Sequence, residues 1–262
     1  MHKCSRITFD NHRMEDDAIV LNSLETGESD LIVTLFCHNS GRISAIAKGA
    51  RNSKKRFVNK LEIFTRLHVT FKQKVSTSLA FLNEAELNNI YPFLRTNYPA
   101  YLAGNVIREL LLHSIRDAES DSDLFRLTLW AFYQLDMRMA PRTVVALFFL
   151  RSFDLLGYRP ELRFCTSCGA PASSHPVRFD MHSGGLICEI CNGKPLRSPL
   201  SGGSLNMLNM AQSMSLEHLD RLKPGSRVSN ESLRLLYSFA QHILQRDINS
   251  WSVFSAVMFK FP

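Results

Sequence analysis

The chain has little that would carry it across or out of a membrane. Its longest apolar run, residues 144–150, stops at Arg151, far short of the about 20 residues that a membrane-spanning helix needs. The opening Met-His-Lys-Cys-Ser-Arg-Ile-Thr-Phe-Asp has no apolar centre of the kind a secretory leader carries. A soluble cytoplasmic protein with no membrane partner is the expectation. Cysteine is sparse, six in 262 residues, and Cys4 and Cys37 stand in unrelated surroundings, which argues against a dense disulfide framework. Enzyme signatures are missing too. No Gly-Lys-Ser or Gly-Lys-Thr loop is present to cradle a nucleotide phosphate. No His-x-Glu precedes a Pro-Cys-x-x-Cys, as a zinc deaminase requires, because Cys188 follows Ile187. A nuclease needs clustered carboxylates, and the basic half of the chain has almost none. The expectation is a binding protein, not an enzyme.

Acids are scarcest in residues 42–74, which hold ten Lys or Arg and one acid, Glu62. That segment carries +9 against +7 for the whole chain, so the remainder is close to neutral at −2. Basic character concentrated in one stretch is the footprint of a polyanion site. A solvated basic face with no partner is the plainer alternative.

Four of the six cysteines fall in two matched pairs. Cys165-Thr166-Ser167-Cys168 is followed, nineteen residues on, by Cys188-Glu189-Ile190-Cys191. Each pair brings two sulfurs to one ion, and four thiolates complete a tetrahedral shell for a single structural Zn2+. A closed shell leaves no position for a reacting water, so this metal would hold structure and do no chemistry. Two disulfides or a redox pair are the competing readings. His175 and His182, inside the excursion, could each replace a cysteine.

Hydrophobic patterning divides the chain. Residues 18–24, 31–37 and 42–48 read as short strands, the last two joined by the turn His38-Asn39-Ser40-Gly41, with Gly41 free to take positive φ. Leu61, Ile63, Thr65, Leu67, Val69 and Phe71 alternate with Glu62, Phe64, Arg66, His68, Thr70 and Lys72, the period of a half-exposed strand. Residues 76–86 supply a fifth. Five short strands with no helix before residue 86 predict a small closed barrel. Between the third and fourth strands runs the polar loop Gly49-Ala50-Arg51-Asn52-Ser53-Lys54-Lys55-Arg56-Phe57, where Phe57 or Phe64 could stack on a base or pack inside. Helical periodicity begins near Tyr98. One helix ends near Arg116, a second covers residues 124–137, and a third is opened by Pro141 and ended by Gly157. A last helix is capped by Ser229 or Asn230, with Leu233, Leu236, Tyr237, Ala240, Ile243 and Leu244 on one stripe. The fold class is therefore α+β: an N-terminal OB-fold β-barrel followed by an α-helical domain with an inserted four-Cys zinc module. The expected boundaries are 1–86 for the barrel, 87–160 and 201–262 for the two parts of the helical domain, and 161–200 for the module.

In this order the chain resembles the RecO family of bacterial recombination mediators. The carrying segments are Gly27-Glu28-Ser29-Asp30-Leu31-Ile32-Val33-Thr34-Leu35, Gly41-Arg42-Ile43-Ser44-Ala45-Ile46-Ala47-Lys48-Gly49-Ala50-Arg51, Lys55-Arg56-Phe57, Leu155-Leu156-Gly157-Tyr158-Arg159-Pro160-Glu161 and the cysteine quartet. The resemblance covers nearly everything after about residue 14. It implies a zinc-bearing, nucleoid-associated protein that binds single- and double-stranded DNA and anneals complementary strands. It also implies engagement of the C-terminal tail of single-stranded-DNA-binding protein and, with RecR and in some species RecF, help in loading RecA. Members commonly begin a few residues before the first strand, so Met14 is an alternative start to Met1, and no function is expected of residues 1–13.

Arg42, Lys48, Arg51, Lys54, Lys55, Arg56, Lys60 and Arg66 are the expected phosphate contacts. Charge and family pattern together select Arg42, Lys48, Arg51, Lys55 and Arg56; charge and position select the rest. An acidic tail peptide ending in an apolar residue needs a cation beside an apolar pocket, for which Arg108, Arg138, Arg142 and Arg151 are candidates. Outside the resemblance, an RNA-binding OB protein with a zinc ribbon fits the same residues, since OB folds read either nucleic acid. A scaffold whose basic loop meets an acidic protein is the third class.

Overall fold

The computed structural model describes residues 13–72 and 79–260. The chain forms two units. One holds the residues up to Ile90 together with Ile115–Ser122; the other holds Tyr91–Ser114 and everything from Asp123 onward.

In the first unit, β1 (Arg13–Thr26), β2 (Asp30–Cys37), β3 (Gly41–Ala47), β4 (Arg66–Lys72) and β5 (Leu79–Asn89) close into a barrel in the order β1-β2-β3-β5-β4. The β3–β5 pair is parallel and the others antiparallel, which is the OB arrangement. Strict alternation builds it: along β3, Gly41, Ile43, Ala45 and Ala47 point inward and Arg42, Ser44 and Ile46 do not. Small inward residues (Ala18, Ala45, Ala47, Ala80, Ala85) keep the barrel narrow, and Val33, Leu35, Leu67, Val69 and Phe71 fill it. Arg13 and Met14 belong to β1, opposite Lys72 and Phe71. Residues 1–12 and residues 76–78 of the expected fifth strand lie outside the described residues.

The fourth strand is shorter than its alternation predicts. It starts at Arg66, because Phe64 takes a left-handed conformation (φ 69) that bends the chain. The Phe64 N–H donates to the Val20 carbonyl at 3.0 Å, and Val20 N–H donates to Thr65 at 2.9 Å. The bend lets Phe57 and Leu61 enter the barrel core from the β3–β4 connection. Neither Phe57 (3% exposed) nor Phe64 (0%) can stack on a base, so that possibility is corrected to core packing.

One buried carboxylate ties the β2–β3 turn to β1. Asp16, 2% exposed, accepts from the backbone N–H groups of Asn39 and Ser40, from Asn39 Nδ2 at 3.0 Å and from Ser40 Oγ at 2.8 Å.

In the second unit, α1 (Pro92–Thr96), α2 (Tyr98–Ser114), α3 (Ser122–Asp136), α4 (Pro141–Leu155), α6 (Gly202–Ser213), α7 (Ser226–Leu244) and α8 (Asn249–Met258) accompany a three-stranded sheet. The sheet is β6 (Glu161–Cys165), β8 (Gly185–Cys188) and β7 (Val177–Asp180), with the short α5 (Glu189–Asn192) after it. Helix α4 is buried nearly all round, from Thr143 to Phe153, and packs against α2, α6 and α7. Helix α7 starts one turn earlier than the sequence predicts. Gly225, not Ser229 or Asn230, precedes it. Ser229 instead lies buried against Thr143 Oγ at 3.1 Å, and Asn230 accepts from Arg142 at 3.0 Å.

Helix α8 is docked by a carboxylate from α2. Glu109 accepts from Asn249 N–H (2.7 Å), Ser250 N–H (2.8 Å) and Ser250 Oγ (2.6 Å), satisfying the free donors at the start of α8. Burial works to raise the Glu109 pKa, but the Ser250 and Asn249 hydrogen bonds and the nearby His113 hold it below its ordinary 4.5. A carboxylate depressed on folding contributes stability above its unfolded pKa and loses it as pH falls through the folded value. Trp251 of α8 stacks on Tyr237 at 3.8 Å, so its fluorescence reports the docking. Acid titration is expected to release α8 below about pH 4.5, and Glu109→Gln is expected to remove that step. A Trp251 signal with the same acid transition in both proteins refutes the assignment.

Candidate nucleic-acid interface and metal centre

The basic loop has an apolar anchor. Phe57 sits inside the barrel, and around it the loop is braced by its own cations. Arg56 stands over the Phe57 ring at 4.7 Å, with Nη2 donating to the Lys48 carbonyl at 2.8 Å and Nη1 to Asn83 at 3.4 Å. Lys60 Nζ donates to the Ala85 and Arg56 carbonyls at 2.8 and 3.0 Å. These two side chains fasten the loop to β5 and to the end of β3.

Other expected contacts carry their own counter-anion. Lys48 pairs with Asp30 at 2.6 Å, Arg51 with Glu25 at 3.2 Å, Arg66 with Asp17 at 2.8 Å and Arg42 with Asp117 at 2.7 Å. Hydrogen bonds from Lys48 and the Gly49 backbone draw the Asp30 pKa down. Burial pushes Asp17 upward, but Arg66 and His68 bring it below its ordinary value. Such exposed pairs contribute little to stability and can exchange one anion for another. Lys54 and Lys55 are exposed, and among the described residues neither has a hydrogen-bond or ion-pair partner. The carboxylate partners escaped sequence reading, because Asp17, Glu25 and Asp30 precede the basic segment and Asp117 is far from it in number.

The arginines considered for a tail peptide are engaged within the fold. Arg151 donates to the Ala211 and Met214 carbonyls, Arg108 to Asn105, and Arg142 to Asn230, while Arg138 lies over the Phe93 ring.

The cysteine quartet converges. Strand β6 delivers Cys165 and β8 delivers Cys188, while the turn after β6 supplies Cys168 and the short α5 supplies Cys191. All four sulfurs lie within 4.8 Å of one another. Gly169, at φ 72, lets the first turn fold back so that its N–H reaches the Cys165 carbonyl at 2.9 Å. Backbone N–H groups already point at sulfur, Cys188 N–H to Cys165 Sγ at 3.4 Å and Cys191 N–H to Cys188 Sγ at 3.5 Å. Cys165 and Cys188 are buried; Cys168 and Cys191 are exposed. Burial opposes ionisation of Cys165, but N–H donors from Cys188, Cys168 and Ser167 pull its thiol down to about 6. Cys191 is pushed up to about 12, first by Cys168 and Cys188, then by burial and Cys165. Four sulfurs this close cannot all ionise unless a cation replaces the protons. Tetrahedral zinc at Zn–S of about 2.3 Å implies S···S near 3.8 Å, and Cys168 and Cys188 stand at 3.8 Å. The residues fit a four-thiolate metal. Among the described residues no histidine joins the cluster; His182 instead packs edge-on to His242 at 5.1 Å.

The metal module is fixed to the helices. Asn209 and Gln212 of α6 donate to the Leu162 and Pro160 carbonyls at 2.9 Å, and Phe179 of β7 meets Phe239 of α7 at 5.1 Å, which meets Phe153 of α4 at 5.2 Å.

An OB barrel with a basic β3–β4 loop, followed in the chain by a helical unit that carries a four-cysteine cluster, defines the class by its architecture; among the described residues no helix is long and apolar enough to cross a membrane. Comparison with known proteins narrows the class. Residues 12–91 match the family model Recombination protein O N terminal, and residues 95–252 match Recombination protein O C terminal. The chain is 30% identical over 245 residues to the DNA repair protein RecO of Syntrophus aciditrophicus (strain SB), covering 92% of this chain and 95% of that one. It is 31% identical over 235 residues to the DNA repair protein RecO of Anaeromyxobacter sp. (strain K), covering 89% and 92%. The chain belongs to the RecO family.

Proposed function

We propose that this protein is a non-enzymatic recombination mediator that binds single- and double-stranded DNA through the barrel and anneals complementary strands. It helps load RecA onto strands coated by single-stranded-DNA-binding protein, acting with RecR and with the C-terminal tail of that coating protein, and RecF is a further candidate partner. The observation that carries the DNA reading is the braced basic loop of the barrel, with Lys54 and Lys55 exposed and unpartnered among the described residues. The eight cations from Arg42 to Arg66 are assigned to phosphate. Contacts of this kind release counterions and ignore base identity, which suits a protein that acts on any broken end. Annealing then needs no cofactor chemistry: a surface that holds two polyanions lowers their repulsion and raises their local concentration. The metal is assigned as one structural zinc held by Cys165, Cys168, Cys188 and Cys191. It supplies no reactive position, because its four ligands close the shell.

Fluorescence anisotropy with a labelled single-stranded oligonucleotide across a salt series tests the reading. Lys54→Ala with Lys55→Ala is expected to weaken binding uniformly across sequences and to reduce the log–log salt slope by about 1.4 for single strands, with melting unchanged. No binding by the unaltered protein at low salt sinks the DNA assignment. A competition with RNA of equal length decides between this reading and an RNA-binding OB protein.

A further inference from the structure

The connection Ile115–Ser122 groups with the barrel and not with the helices that flank it in sequence. Several contacts hold it. Asp117 Oδ1 accepts from Arg42 Nε at 2.7 Å. The backbones of Arg42 and Asp117 form a parallel bridge, and Ala118 N–H donates to the Arg42 carbonyl at 3.1 Å. Gly41 makes the room: it has φ +65, and a Cβ there would stand 2.2 Å from the Glu119 carbonyl oxygen. No other residue fits that seat without moving the connection.

The docked segment is acidic, with Asp117, Glu119 and Asp121 against one cation, Arg116. Arg116 is already paired with Glu119 at 3.5 Å. Asp117, in contrast, reaches the first cation of the basic segment. A carboxylate and a phosphate make the same charge-assisted hydrogen bond to a guanidinium.

We propose that Ile115–Ser122 is a built-in competitor of the barrel's nucleic-acid ligand: Asp117 holds Arg42 in place of a backbone phosphate, and a strand reaches Arg42 only by displacing it. This rests on the DNA-binding reading above. The backbone seat at Gly41 stays occupied during the exchange; the Asp117 side chain is what yields. The competitor sets a threshold. A strand that engages only the loop cations leaves the Arg42–Asp117 pair intact, and a strand that tracks further along β3 must pay out one ion pair to gain one phosphate contact.

Asp117→Asn keeps the shape and removes the charge. Anisotropy with a labelled single strand is expected to show about 3–10-fold tighter binding at low salt, and a log–log salt slope steeper by about 0.7, one added phosphate contact. Asp117→Ser is expected to repeat the gain. In an Arg42→Ala background the gain vanishes. Glu119→Gln, whose partner is Arg116, leaves affinity within about twofold and so separates the specific pair from a general change of charge. The proposal is overturned if Asp117→Asn binds no tighter than the unaltered chain, if its gain persists without Arg42, or if Glu119→Gln matches it. Failure of the unaltered chain to bind at all removes the DNA reading and this inference together; binding without the gain removes this inference alone.

Discussion

Replacing Cys165 with serine is expected to lower metal content from one ion per chain and to loosen residues 161–200, while DNA affinity stays within about twofold. Structural zinc in isolated peptides is worth on the order of 10–16 kcal/mol of apparent binding energy at neutral pH. In the assignment proposed above, that energy would act on a small sheet whose strands are only four or five residues long and which rests on the helices through Leu162, Phe179 and two amide side chains. Without the metal, the crowded sulfurs must keep protons, and the two cysteine turns lose the group that joins them. The Phe179–Phe239–Phe153 contact then transmits the loss to α7 and α4. Metal analysis, thermal melting and limited proteolysis read the three stages. Binding of an acidic tail peptide is expected to fall with stability, whereas oligonucleotide affinity, assigned to the barrel under the proposed function, is expected to hold. A Cys165→Ser protein that melts, resists protease and binds peptide like its parent refutes the assignment.

Asp16→Ala is expected to be the most damaging single change in the barrel that alters neither its apolar core nor the basic loop. The carboxylate is 2% exposed and satisfies two backbone and two side-chain donors at the β2–β3 turn. Asn39 is exposed and Ser40 half-buried, so water reaches the freed donors, and what is lost is their hydrogen bonds to a charged acceptor, about 1.5–3 kcal/mol each. Partial rearrangement limits the sum, so a loss of about 3–4 kcal/mol is expected. Hydrogen exchange of β2 and β3 amides reads it locally, and should accelerate by about 100-fold or more where exchange follows unfolding of the barrel. Asp16→Asn keeps an acceptor and is expected to lose less. Unchanged exchange in Asp16→Ala means that the turn is held by the strands alone.

The barrel was legible because its strands alternate cleanly, Arg42 to Ala47 above all, and because Gly41 announces a turn. The alternation misled at residues 61–64. Period two continued in the letters while Phe64 bent the backbone, and only a long-range pairing with Val20 decides that. The cysteine quartet was legible from spacing alone, since four thiolates have few other reasons to stand in matched pairs. Helices α6 and α8 were missed: α6 opens with two glycines, and α8 relies on Glu109, 140 residues before its first residue, for its cap. The early start of α7 was hidden by two residues, Ser229 and Asn230, that look like caps and instead serve contacts to α4. Of the expected phosphate contacts, position along the chain was readable, but which cations are braced, which are paired and which are exposed is a property of their distant carbonyl and carboxylate partners.

The seating of Phe57 has a mechanical consequence. The cations nearest to it ride on a loop whose central ring is lodged in the barrel. A strand under tension that grips those cations pulls on the barrel interior, not on a hinge. The load is borne by packed side chains, so the loop should keep its hold until the barrel itself begins to give way.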